Sequence, residues 1–91
     1  MAGTSTSISS GVLAPETYVL FNGRHTLNSV VIQPGATVTI YDNTAASGKI
    51  VFLYVNAGTS TEFVSFVDSP RVLIGLTVVV AAANAIVYYG A

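Results

Sequence analysis

The chain lacks cysteine and tryptophan and has very little charge. Without cysteine there is no disulfide framework and no thiolate zinc or iron–sulfur site. A single histidine, His25, leaves little for a metal cluster, and no metal or cofactor is expected. Three basic residues against four acidic ones give a net charge of −1, which excludes the clustered Lys/Arg footprint of nucleic-acid binding. Charged residues are 8% of the 91, against about a quarter in ordinary globular chains. So few charges cannot cover the surface of a free monomer. Much of that surface is expected to be buried against other chains.

What is present favours strands. Val, Ile, Thr, Tyr and Phe make up 39 of the 91 residues, and these side chains fit a pleated, half-buried surface. One Lys, two Arg and two Glu offer almost no i,i+4 pairs to support a helix. The length allows one domain, of a size that is marginal by itself. The start has no basic region and only Ile8 as a large apolar residue, so no signal peptide is expected there. Residues 1–11 read as a flexible polar arm and 12–91 as a single β-sandwich domain. Val72 to Tyr89 is apolar enough for a membrane span by length alone. Its β-branched runs and the Ala82-Ala83-Asn84 break favour two strands, and no membrane partner is expected.

The strands follow from alternation and turn chemistry. Thr17–Phe21 leads to Asn22-Gly23, a strong hairpin signal, with Arg24–Gln33 as the return strand. Pro34-Gly35 turns the chain. In Ala36–Asp42, Ala36, Val38 and Ile40 face one way, and Thr37, Thr39 and Tyr41 the other. Lys49–Asn56 is apolar on both faces, as a strand covered on both sides would be. Thr61–Asp68 follows, and Leu73–Ala81 with Ala85–Tyr89 is expected to form a final hairpin. Seven to eight short strands at this spacing imply an all-β fold, a small antiparallel sandwich or jelly-roll-like barrel with an extended N-terminal arm.

A monomeric sandwich needs one apolar face per strand. The surplus here includes Phe21, Tyr41, Phe52, Tyr54, Phe66 and Tyr88. With Ile8 from the arm, these are the expected subunit or capsid contacts, since aromatics anchor interfaces. Either Val51, Leu53 and Val55 or the opposite pair, Phe52 and Tyr54, forms the subunit contact.

Catalytic chemistry finds little support. His25 could serve a triad with Asp42 or Asp68, but no Gly-x-Ser-x-Gly elbow exists. Glu62 and Asp68 share a strand face yet stand about 20 Å apart, and Glu16 and Asp42 are isolated in sequence. Asp42 reads as a turn residue. No phosphate-binding glycine motif occurs. Asn22-Gly23-Arg24 matches a cell-adhesion tripeptide, but the turn reading outweighs it. No enzyme is expected.

The stretch Val38-Thr39-Ile40-Tyr41-Asp42-Asn43-Thr44-Ala45-Ala46-Ser47-Gly48-Lys49-Ile50 resembles a pattern in small structural proteins of tailed phages. Pro70-Arg71-Val72, Gly75-Leu76-Thr77-Val78-Val79-Val80 and Val87-Tyr88-Tyr89-Gly90 extend the likeness over Val30 to Gly90. The whole is similar to head decoration or cement proteins, including those of cyanophage-like podoviruses. The resemblance implies a β-sandwich or jelly-roll-like subunit, often trimeric, bound to the major capsid protein on the virion surface and made in the host cytoplasm. It carries no functional residue over. The alternative expectation is a tail or fibre module that contacts a host-surface glycan. In the cement reading, the arm from Ala2 to Gly11 would lie across a capsid or sister subunit and add to a sheet edge.

Overall fold

The computed structural model describes residues 8–22, 25–66, 71–72 and 74–90. They form nine strands and no helix. These are β1 (Ile8–Ser9), β2 (Glu16–Asn22), β3 (His25–Ile32), β4 (Thr37–Asp42), β5 (Ile50–Val55), β6 (Glu62–Ser65), β7 (Arg71–Val72), β8 (Gly75–Ala81) and β9 (Ala85–Gly90). Two of the nine are only two residues long, which leaves seven full strands.

The strands lie in two antiparallel sheets. One has the order β1-β9-β3-β6, with β7 also paired to β3; the other has the order β2-β8-β4-β5. This is a small β-sandwich. Alternation builds its core. Leu27, Val30, Ile32, Ala85, Val87 and Tyr89 from the first sheet meet Val38, Ile40, Leu76, Val78 and Val80 from the second. Ala36 and Leu13 complete the layer. Each fully buried Val, Leu or Ile contributes about 1.5–3 kcal/mol relative to exposure.

Two expected hairpins are absent. Strands β2 and β3, on either side of Asn22-Gly23, belong to different sheets and do not pair with each other. Gly23 and Arg24 lie outside the described residues. The final pair also separates: β8 runs beside β2 and β4, and β9 beside β3 and β1. Physical reason lies in the facing of the strands. Val78 and Val80 on β8 and Ala85 and Val87 on β9 are all buried, and they meet across the core rather than side by side. The chain therefore crosses the sandwich at 82–84, with Ala82 in the left-handed region at φ 73°. Pro34-Gly35 is likewise a crossing turn, with Gly35 at φ 89°. Among the described residues, only β4 and β5 are consecutive strands that pair directly.

Of the arm, residues 8–11 are described. Its last part is a working strand of the chain's own sheet. Ile8 and Ser9 pair with Tyr89 and Tyr88, the Ser10 N–H donates to the Val87 carbonyl at 2.8 Å, and the Val87 N–H donates to Ser10 Oγ at 2.9 Å. Leu13 and Ala85 exchange backbone bonds at 2.8 and 3.1 Å. Residues 8–10 are thus committed to the edge of β9. Residues 1–7 lie outside the described part.

Two polar devices hold the ends of the sandwich. Asn56, buried at 2% exposure, ties the end of β5 to the end of β3. At the other end, the loop after β4 folds over the start of β8. There the Thr77 hydroxyl donates to the Asn43 carbonyl at 2.7 Å, and the Ile74 N–H donates to an Asp42 carboxylate oxygen at 2.9 Å. Asn43 shapes the loop itself, its amide donating to the Ser47 carbonyl at 2.9 Å and its Oδ1 accepting from the Thr44 N–H at 2.8 Å. Asp42 itself ends β4, and its carboxylate reaches the Ile74 backbone 32 residues on, while the local bonds that shape the loop are those of Asn43.

Candidate interaction surface

Cross-strand register decides which side chains remain for partners. Directly opposed residues share a face, so the register can be read across the whole second sheet. Thr17, Val79, Thr39 and Leu53 form one outward row. Val19, Thr77, Tyr41 and Ile50 form the next, and Ala81, Thr37 and Val55 a third. No charged residue stands in these rows. Val19 is 54% exposed, Leu53 57% and Val55 59%. Thr77 is the exception, since the loop at Asn43 covers it. The first sheet has a smaller outward apolar group: Phe63 and Ile86 both pair with Val31, and Phe63 is 63% exposed.

Strand β5 shows why its apolar residues occupy both faces. Phe52 and Tyr54 stand opposite Ile40 and Val38, which points them inward. Leu53 stands opposite Thr39 and Val55 opposite Thr37, which points them outward. A register shift between Ile40 and Tyr41 places Ile50 on the outward side and leaves Val51 packed against the core. Such a bulge re-aims the residues beyond it.

The expected contact residues therefore divide. Phe52, Tyr54 and Phe66 do not face outward. Phe52 and Tyr54 stack with centroids 6.2 Å apart and planes at 9°, and Phe66 meets Phe52 edge-on at 5.2 Å and 87°. These three half-buried rings close the flank where β5 of one sheet meets β6 of the other. The cause is the burial of Val38 and Ile40, whose cross-strand partners must turn inward with them. Tyr41 and Tyr88 are half-buried on the outward faces, Tyr88 beside Ser29 and Ser9. Ile8 is 38% exposed beside Tyr89. Phe21 pairs through its backbone with Leu76, and its side chain lies outside the described part. The exposed large apolar residues of the outward face are Val19, Ile50, Leu53 and Val55. The phase of Val38 and Ile40 carries that signal, once β4 and β5 are known to pair.

His25 lies on β3 with its backbone opposite Val72, while its side chain and all of Asp68 lie outside the described residues. Asp42 is engaged by the Ile74 backbone. Glu16 begins β2 and Glu62 begins β6, in different sheets. Among the described residues no group of three or more His, Asp or Glu could hold a metal ion. No helix among them is long and apolar enough to cross a membrane. Comparison of the chain with protein-family models, curated proteins and solved structures finds no match.

Proposed function

We propose that the chain is a structural assembly subunit, a decoration or cement protein of a tailed-phage head that binds the outer surface of the major capsid protein. One observation carries this reading: the outward face of the second sheet is uncharged from edge to edge and leaves Val19, Leu53 and Val55 more than half exposed. Burying the exposed part of each would contribute about 1 kcal/mol. The likeness of Val30 to Gly90 to small phage structural proteins supports the same reading. A contact of this kind is weak singly. A subunit that binds only the mature shell stabilises it by its binding free energy, repeated over many sites.

The test is co-sedimentation with expanded capsids of the phage that encodes the chain, after removal of the native protein. Saturable binding that raises the temperature of capsid disruption is expected. Loss of binding in Val19→Lys and retention in Glu62→Lys would assign the outward face. Absence of the chain from purified virions would refute the role.

A further inference from the structure

We infer that β5 pairs edge to edge with β5 of a second copy, antiparallel about a two-fold axis, joining two four-stranded sheets into one of eight. Among the described residues, no strand pairs with the outer side of β5. The ladder fixes which groups point there. The Asn56 N–H donates to the Ala36 carbonyl at 2.9 Å, so in the alternating antiparallel pattern Tyr54 bonds Val38 and Phe52 bonds Ile40. The N–H and C=O groups of Leu53 and Val55 consequently point to the open side. Their side chains are also the exposed ones of this strand.

Two copies of this pattern complement each other. With the axis at Tyr54, Leu53 of each copy opposes Val55 of the other, and both pairs exchange two backbone bonds. The outward apolar rows then run without a break across eight strands. Charge permits the contact. Lys49 is the one charged residue between Asn43 and Thr61, and the two copies of it would lie about 33 Å apart, several Debye lengths. The other edges among the described residues fit a partner strand less well. Strand β1 has two residues, β6 has four and opens with Glu62, and β2 opens with Glu16 and is broken by a register shift after Val19. Strand β5 has none of the devices that normally blunt an edge along 52–55.

The pairing goes beyond the capsid-binding role, and its test uses the isolated chain, so either idea can fail alone. Sedimentation velocity across a wide concentration series should show a monomer–dimer equilibrium. Amide exchange at Leu53 and Val55 should slow about tenfold or more as dimer forms, while Tyr54 stays unchanged. Leu53→Lys should weaken the dimer about a hundredfold with an unchanged circular dichroism spectrum. Leu53→Pro is the second variant: its lost N–H faces outward, so β4–β5 pairing survives and the dimer does not. A monomer at every concentration overturns the proposal. So does a discrete trimer, which a two-fold contact cannot build. A dimer whose Leu53 and Val55 amides exchange as in the monomer also overturns it.

Discussion

The side-chain amide of Asn56 donates to the Ile32 carbonyl at 2.9 Å, joining the end of β5 to the end of β3 across the two sheets. The same amide donates to the Ser60 carbonyl at 2.9 Å, and Asn56 Oδ1 accepts from the Gly58 N–H at 3.1 Å. Its own backbone closes the turn at Gly35, whose N–H donates to the Asn56 carbonyl at 2.8 Å. One side chain thus organises the crossing from β5 to β6.

Asn56→Ala should therefore be strongly destabilising. It leaves two carbonyls and one N–H without their partner, the Ile32 carbonyl in a buried site and the Ser60 and Gly58 groups in part-buried ones. At about 1–3 kcal/mol for each buried group left unsatisfied, with some recovery by water, a loss of about 3 kcal/mol is expected. Urea titration followed by circular dichroism measures it. Asn56→Asp should cost as much or more, since a carboxylate cannot donate to Ile32 and Ser60. A change below about 0.5 kcal/mol in both variants, the range of an ordinary surface substitution, would show that the crossing is held elsewhere.

Gly75 and Gly35 should respond differently to alanine. A Cβ on Gly75 would stand 2.8 Å from the Asn43 carbonyl oxygen and 2.8 Å from Thr44 Cγ2. Backbone must move, and the bond from Thr77 to Asn43 moves with it. Gly75→Ala should cost about 1–3 kcal/mol. A Cβ on Gly35 meets nothing within 4 Å, so only its φ of +89° opposes the change, at about 1 kcal/mol. Thermal unfolding of both variants should rank Gly75→Ala below Gly35→Ala; the reverse order would contradict the packing of the 43–48 loop on β8.

How far the sequence reveals this molecule depends on the kind of signal. Alternation is local, so Ala36, Val38 and Ile40 announce both a strand and its buried face. The double-sided apolar character of β5 is equally plain, but its phase is not. That phase is set by pairing with β4 and by the bulge at Ile50-Val51, neither of which a single strand encodes. Hence the strand alone leaves open whether Phe52 and Tyr54 or Leu53 and Val55 stand outside, and the pairing with β4 puts Leu53 and Val55 there. Turn signals share this limit. Asn22-Gly23 marks where the chain reverses but not whether the next strand lies beside the last or across the core. Asn56 gives no warning either, since its worth comes from Ile32, 24 residues away.

The aromatic flank offers a direct check on that assignment. Phe52 contacts both Tyr54 and Phe66, and its ring packs against the core. Phe52→Ala should cost about 2–3 kcal/mol, less than a fully buried phenylalanine because the flank is partly open. Its effect on self-association should be small once the variant is folded, unlike that of Leu53→Lys. Stability and oligomeric mass measured on the same two variants separate inward from outward residues. Dissociation by Phe52→Ala with full stability would return Phe52 to the interface.

The segment from Ile8 to Leu13 is expected to protect β9. Ser10 makes a reciprocal pair with Val87: its N–H donates to the Val87 carbonyl, and its Oγ accepts from the Val87 N–H at 2.9 Å. Ser10→Ala removes that acceptor while leaving the backbone bond in place. The expected cost is about 1 kcal/mol, with faster amide exchange at Val87. Leu13→Ala acts on a different term. Leu13 is 5% exposed within the core cluster, so truncation should cost about 2–3 kcal/mol through lost burial and a cavity. Its backbone exchange with Ala85 should persist. If Ser10→Ala leaves Val87 exchange unchanged, the hydroxyl is not what closes this edge, and the backbone of 8–13 alone must do so.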